Sequence, residues 1–324
     1  MNLSAFLIEV QRNKTLYYIK NALRQMVPDA VLARQFENRL AALSKFSGEQ
    51  IWERVNYYNS LETVTKPDPS AIMLSKIREI KAPSAYIFDS MEYTRYFPDY
   101  LKALFRFGDI VDVAETPAIQ KSRPVSGDKR NAVLLNLDKK RHFLFIQDPF
   151  RFENKKEMLI GRGAVTQPHR IAFMNRYFGH PALNLGQVNR QGGNPAWIVP
   201  KMSIYEHLKY KFILSLEGND VATNLKWIMS SNSVAVMARP KYETWFMEGS
   251  LVPNYHYIQI QDDYSDLLQV LDYYIAHPKE TQQIAENANR YVQQFSNQQK
   301  EDLISLLVLE KYFYYTSQIS TIRV

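Results

Sequence analysis

Apolar residues recur at three- and four-residue steps through the first sixty positions. Leu16, Tyr17, Ile19 and Leu23 form one series, and Phe36, Leu40 and Leu43 another. That spacing sets each series on one helical face, so residues 1–60 are predicted to be mostly helical. Two short apolar runs follow, "PSAYIFD" (83–89) and "GDIVDVAETP" (108–117, closed by Pro117), and both read as strands. "NAVLLNLDKKRHFLFIQD" (131–148) reads as a hairpin around Asp138-Lys139-Lys140.

From Lys156 the pattern changes to regular alternation. Strands are predicted over 156–161, 183–188, 211–216, 233–238 and 256–260, with helices over 168–178, 203–209, 221–230 and 241–248. Alternation of this kind implies βαβ units and a parallel sheet covered by helices, an α/β fold. The last sixty residues carry apolar stripes at helical spacing throughout, as in "KETQQIAENANRYVQQF" and "QQKEDLISLLVLEKYFYY".

Two strand exits hold candidate chemistry, because ligands of open parallel sheets bind beyond the carboxyl ends of the strands. One is "LEGND" (216–220): Glu217, Gly218 where the backbone turns or a ligand approaches, Asn219, and Asp220 as cap of the helix predicted from 221. Lys226 falls in the second turn of that helix and could reach back to an anion. The other exit is "MLIGRGAVTQPHRIAFMNRYF" (158–178), with Arg162 between two glycines and Pro168 at a helix start. His169 and Arg170 lie in the first helical turn, where the helix dipole disfavours a cation unless an anion is bound. Together these exits suggest a diphosphate site.

That site departs from the common fingerprints. Thr166 stands where a dinucleotide motif has its third glycine, and no GxxxxGK[ST] occurs. No Asp-x-Asp pair and no metal-spaced histidines appear, so positive side chains are expected to neutralise the phosphate, with no metal and no cofactor. Lys and Arg outnumber Asp and Glu by 40 to 33, a net +7 that favours an anionic partner, while the lack of a basic block argues against nucleic acid. With no cysteine, disulfide, thiolate and thiol-nucleophile chemistry are excluded. Neither a signal peptide nor a run of about 20 apolar residues is evident, so a cytoplasmic protein is expected.

At these residues the chain resembles glycosyltransferase family 90, over roughly 105–295. The features that match are Arg162-Gly163 followed by Arg170, "KYKFILSLEG" running into a helix with Lys226, "SSNSVAVM", "YETWF" and "YHYIQI". The resemblance implies two facing Rossmann-like domains of the glycosyltransferase B type with helical N- and C-terminal segments. The boundaries expected are an acceptor-side domain over 1–151, a nucleotide-sugar domain over 152–299, and a helix over 300–324 that packs back on the first domain. It also implies inverting, metal-independent transfer of a sugar from a nucleotide-sugar, usually a UDP-sugar. The family arginine of the first loop falls on Arg170, and a second falls on Asn224, leaving Lys226 as its substitute. Glu243 is placed on a sugar hydroxyl. The family's base aspartate falls on Glu115, with Asp112 in reserve; a carboxylate there would take the proton of the acceptor hydroxyl. Lys121 and Arg123 follow in a loop and are expected to line the cleft.

The absence of cysteine points toward the lipopolysaccharide-type branch. The expected acceptor is a glycan or lipid-linked saccharide, with peripheral contact to an anionic membrane at its inner face. Two rivals are a non-catalytic nucleotide-sugar or nucleic-acid binding protein on the same fold, and another nucleoside-diphosphate-dependent enzyme such as an epimerase.

Overall fold

In the computed structural model, which describes residues 5, 6, 8, 10 and 13–322, the alternating region forms a five-stranded parallel sheet. Its strands are β1 (Lys156–Gly163), β2 (Leu183–Gln187), β3 (Tyr210–Leu214), β4 (Val234–Met237) and β5 (Ile258–Gln259). They lie in the order β2-β1-β3-β4-β5, with Gly163 opposite Gln187 and Leu159 opposite Phe212. β4 is buried at every position, the continuous apolar run expected of a parallel strand covered on both faces. The intervening helices are α1 (Pro168–Tyr177), α2 (Ile204–His207) and α3 (Leu225–Met229). α4 (Leu267–Ala276) and α5 (Pro278–Gln293) follow the sheet. Phe173, Leu159, Phe212, Val236, Ile258 and Leu267 fill the core between sheet and helices. Residues His142–Pro240 and Ser250–Gln294, with the described residues before Asn13, make up this unit.

A second unit gathers Asn13–Arg141, Lys241–Gly249 and the chain from Phe295 onward. Helices Lys14–Gln25, Asp29–Leu40, Gly48–Tyr58 and Ser84–Thr94 join the long helix Gln298–Tyr315, whose core positions include Leu303, Leu307, Val308 and Tyr312. Three short parallel strands, Phe105–Arg106, Ala118–Gln120 and Ala132–Leu134, form its main sheet, with Ala118–Gln120 in the middle. Arg54 is paired with Glu301 at 2.5 Å inside this unit and also donates to the Tyr58 hydroxyl at 2.7 Å.

Several expected elements differ. "PSAYIFD" is part of the helix Ser84–Thr94, not a strand; eight of its eleven residues are buried, so no polar stripe marks its period. Residues 108–117 contain no strand. Their carbonyls are met by side chains instead: Ser122 Oγ donates to Ile110, Arg106 and Gln120 to Asp112, and Asn131 to Ala114 and Glu115. No hairpin spans 131–148: Ala132–Leu134 pairs in parallel with Ala118–Gln120, and Lys139–His142 is one helical turn. Nor is 241–248 helical. Tyr242–Glu243 pairs antiparallel with Arg123–Pro124, and Met247 takes a positive φ of 57°.

Candidate functional site

In the order β2-β1-β3-β4-β5 the chain reverses direction along the sheet between β1 and β3. Such a reversal opens a crevice beyond the strands' carboxyl ends. A crevice of about 280 Å³ lies there, lined among others by Gly163, Arg170, Leu216, Thr223 and Asn224.

Arg170 joins its two walls. Nη1 donates to the Ala164 carbonyl at 2.8 Å, on the β1 exit. Nε donates to Glu217 at 2.9 Å and Nη2 to Leu216 at 2.7 Å, both on the β3 exit. All three acceptors are backbone carbonyls, and among the described residues no carboxylate pairs with this guanidinium. Burial pulls its pKa below that of a free arginine, yet an arginine stays charged in a protein. Of the five N–H donors of a guanidinium, three are engaged here and two remain for a ligand. The loops are tied further by His169, whose Nε2 lies 2.9 Å from the Glu217 carbonyl oxygen, and by Gln167, which donates to Asn219 Oδ1 at 3.1 Å.

α1 starts with Pro168 and has neither a side-chain cap nor an acid in its first turn. Its N–H groups are therefore not met by a side chain, and the positive end of the helix dipole opens beside Arg170. Gly163 and Gly218 flank the guanidinium. A Cβ there would stand 3.9 Å from Nη1 and 3.6 Å from Nη2, ordinary contact distances, and neither glycine has a positive φ. The turn at Gly218 thus does not demand glycine; only close approach of a ligand would.

The other expected residues of this unit are placed differently. Arg162 turns along the sheet, where Nη1 donates to the Gly161 and Asn184 carbonyls and Nη2 to Asn184 Oδ1. Thr166 is exposed beside Gly192. Asp220 does not cap a helix: it is buried, and α3 begins at Leu225 with Asn224 before it. Asn224 lines the crevice, donating to the Leu214 carbonyl at 2.9 Å and accepting from Ser215 Oγ at 3.1 Å. Lys226 is fully buried and lines no part of the crevice, so the expected pairing of Arg170 with Lys226 around one anion is not what this geometry presents.

Reading the sequence also missed Asn189, whose Oδ1 accepts from Val165 N–H at 2.7 Å and holds the β1 exit in place. The turn cluster Gly192-Gly193-Asn194 just after it was the available signal.

In the second unit, Glu243 is not a surface group but the centre of a buried cluster. Its Oε1 accepts from Arg123 Nε at 2.8 Å and Lys129 Nζ at 2.6 Å, while Oε2 accepts from the Tyr57 hydroxyl. Arg123 is itself buried and also donates to the carbonyls of Tyr57, Tyr58 and Ala132. Lys121 is buried and paired with Asp109. Both cations, expected in a loop lining the cleft, are instead buried, and Arg123 lies in the short strand Arg123–Pro124. Asp112 is bound by Arg106 at 2.6 Å, and that hydrogen bond holds its pKa below the usual carboxylate range. Glu115 is exposed; its backbone carbonyl accepts from Asn131, and its carboxylate has no partner among the described residues. Among the described residues no group of three or more His, Asp and Glu could hold a metal ion.

Comparison with known proteins bears on this arrangement. The model of glycosyl transferase family 90 matches residues 152–312, which include both crevice loops. The chain is 38% identical over 306 residues to the O-glucosyltransferase LpsA of Dichelobacter nodosus, covering 94% of this chain and 96% of that protein. It is 30% identical over 88 residues to Protein O-glucosyltransferase 2 of Danio rerio, 27% of this chain and 17% of that one.

Proposed function

The chain belongs to glycosyltransferase family 90 and is a glycosyltransferase, and from that premise we propose that it moves a sugar from a UDP-sugar to a saccharide acceptor with inversion. The donor diphosphate is held at the β1 and β3 exits, in a fold of the glycosyltransferase B class. The observation that carries this reading is Arg170: a partly desolvated guanidinium with no counter-ion among the described residues, fixed by three carbonyls at the reversal point of the sheet. A cation fixed in this way is prepared for an anion, because the geometry needs no rearrangement when charge builds on the leaving phosphate. Its two remaining donors suit two phosphate oxygens, and the uncapped start of α1 adds backbone N–H groups. Arg170 then supplies the charge neutralisation that a carboxylate-bound metal supplies in other transferases.

In the transfer itself the acceptor hydroxyl oxygen bonds to the anomeric carbon as the bond to the diphosphate oxygen breaks. The hydroxyl proton passes to a carboxylate. Glu115 suits that role better than Asp112, since Arg106 stabilises the Asp112 anion and weakens it as a base. The acceptor we assign is a lipopolysaccharide or other surface-glycan saccharide, and transfer to a hydroxyl oxygen is in keeping with the name O-glucosyltransferase of the relative that the chain resembles along 94% of its length.

Calorimetric titration with UDP, UDP-sugars and other nucleoside diphosphates, in the presence of a chelator, tests the donor site. Arg170→Ala should weaken UDP binding about 30-fold, corresponding to the loss of a charge-assisted pair of about 2 kcal/mol. Undiminished UDP affinity in a folded Arg170→Ala protein would refute the site.

A further inference from the structure

The helix Lys14–Gln25 is packed the wrong way round for a surface helix. The residues that face its own unit are polar: the Tyr17 hydroxyl donates to Asp89 Oδ1 at 2.7 Å, Asn21 is buried, and Arg24 pairs with Glu92 at 2.5 Å. Its apolar side chains point elsewhere. Leu16, Ile19, Leu23 and Met26 leave 51, 51, 60 and 77% of their surface in water. Leu16, Ile19 and Leu23 fall within about 60° of one another around the axis, so they make one stripe, not scattered exposure. Val27 and Val31, just after the helix in sequence, are also exposed, at 37% and 41%. Met26 and Val27 also lead into a groove of about 670 Å³ walled by Pro28, Ala30, Ala33 and Phe97.

A cation borders this stripe. Lys20, about 80° from the stripe's centre around the axis, is exposed and in no ion pair among the described residues. Residues 13–45 carry six Lys and Arg against two acids, a net +4 out of +7 for the whole chain. An apolar stripe with basic neighbours is the composition of a helix that lies in a bilayer interface. A second copy of this chain is a poor occupant, since two chains of net +7 repel each other. No helix among the described residues is long and apolar enough to cross a membrane, so contact through these residues would be peripheral.

We infer that the Leu16-Ile19-Leu23-Met26 face of this helix docks on an anionic lipid bilayer, with Lys20 at the headgroups. This face shares no residue with the donor site, so the two readings fail separately.

The test is co-sedimentation of the full chain with vesicles of phosphatidylcholine alone and with a phosphatidylglycerol fraction added. Binding is expected only with the anionic lipid, and it should fall with salt. Ile19→Glu/Leu23→Glu should cut it about 100-fold, roughly tenfold for each interfacial side chain lost. Lys20→Gln should lower binding about fivefold and flatten the salt dependence. These positions are exposed, so both variants should keep the parent melting temperature and the parent rate of UDP release with a soluble acceptor. Equal binding to neutral vesicles would overturn the proposal, as would binding unchanged in both variants. Sedimentation velocity showing a dimer that Ile19→Glu/Leu23→Glu dissociates would overturn it in favour of a second copy. Lipid binding without UDP release would leave docking standing and remove only the donor reading.

Discussion

Replacing Glu243 by Gln separates a structural carboxylate from a sugar-binding one. Glu243 and Arg123 have 0% and 1% of their side-chain surface exposed, and Lys129, the second cation on Oε1, has 25%. The amide keeps the volume and one oxygen acceptor, so Arg123 Nε retains a partner. It removes the negative charge, however, and leaves two cations around a neutral group. Lys129 can turn to water, but Arg123 cannot, since its other donors are fixed on the carbonyls of Tyr57, Tyr58 and Ala132. Breaking a buried pair by removing one partner costs about 3–5 kcal/mol, and the surviving hydrogen bond puts Glu243→Gln near the lower end. For a cooperative body of roughly 150–250 residues, about 3 kcal/mol lowers the melting temperature by roughly 6–12 °C. Differential scanning calorimetry measures that shift, and Michaelis kinetics below the transition measure donor use. Glu243→Gln should melt early with a donor KM within about twofold of the parent, because a uniform binding contact is not what is lost. A variant that melts with the parent and shows a donor KM raised tenfold or more would refute the buried-cluster account and restore Glu243 to the sugar.

The base assignment predicts that Glu115→Gln lowers kcat by about 10²–10⁴ while leaving UDP affinity intact, and that Asp112→Asn changes kcat less than about fivefold. The reverse ranking would exchange the two carboxylates. A pH effect is expected at Asp89, which accepts from Tyr17 and from the Lys139 N–H and whose pKa burial raises to about 6. Between about pH 4 and 6 the folded chain holds a proton there that the unfolded chain has released, so this group's contribution to stability falls as pH rises through that window. Asp89→Asn removes that decline, and its melting temperature relative to the parent should climb from pH 4 to 7. A difference that stays constant with pH would contradict the buried, proton-retaining carboxyl.

The part of the fold legible in the sequence is the part with local periodicity. β1 to β5 and the helices α1, α4 and α5 stand where strand and helix patterns alternate between 156 and 293, and Pro168 marks the start of α1. Elsewhere the local pattern misled. Ser84–Thr94 looked like a strand because a helix buried on most sides shows no polar stripe. "YETWF" looked like a helix because nothing within a few residues of Glu243 reveals Arg123, its partner 120 positions earlier. Residues 108–117 looked like a strand because their carbonyls bond to the side chains of residues 106, 120, 122 and 131 instead of to a neighbouring strand. The candidate site divides in the same way. Arg170 beside an uncapped helix start was readable from the first-turn cation, whereas the burial of Lys226 and Asp220 depends on how α3 sits against its unit and has no local signature.

The interrupted makeup of the second unit has a consequence for how the polypeptide emerges from the ribosome. Arg54 meets Glu301 and Arg123 meets Glu243, so each early arginine waits more than a hundred residues for its counter-ion. The helix Gln298–Tyr315, made after the residues of the parallel sheet and its helices, supplies much of that unit's interior. The residues of the parallel sheet and its helices, by contrast, are all translated by Gln294. The nascent chain should therefore complete its later-encoded body first, and a premature stop before Phe295 would strand the earlier-encoded one without its central helix.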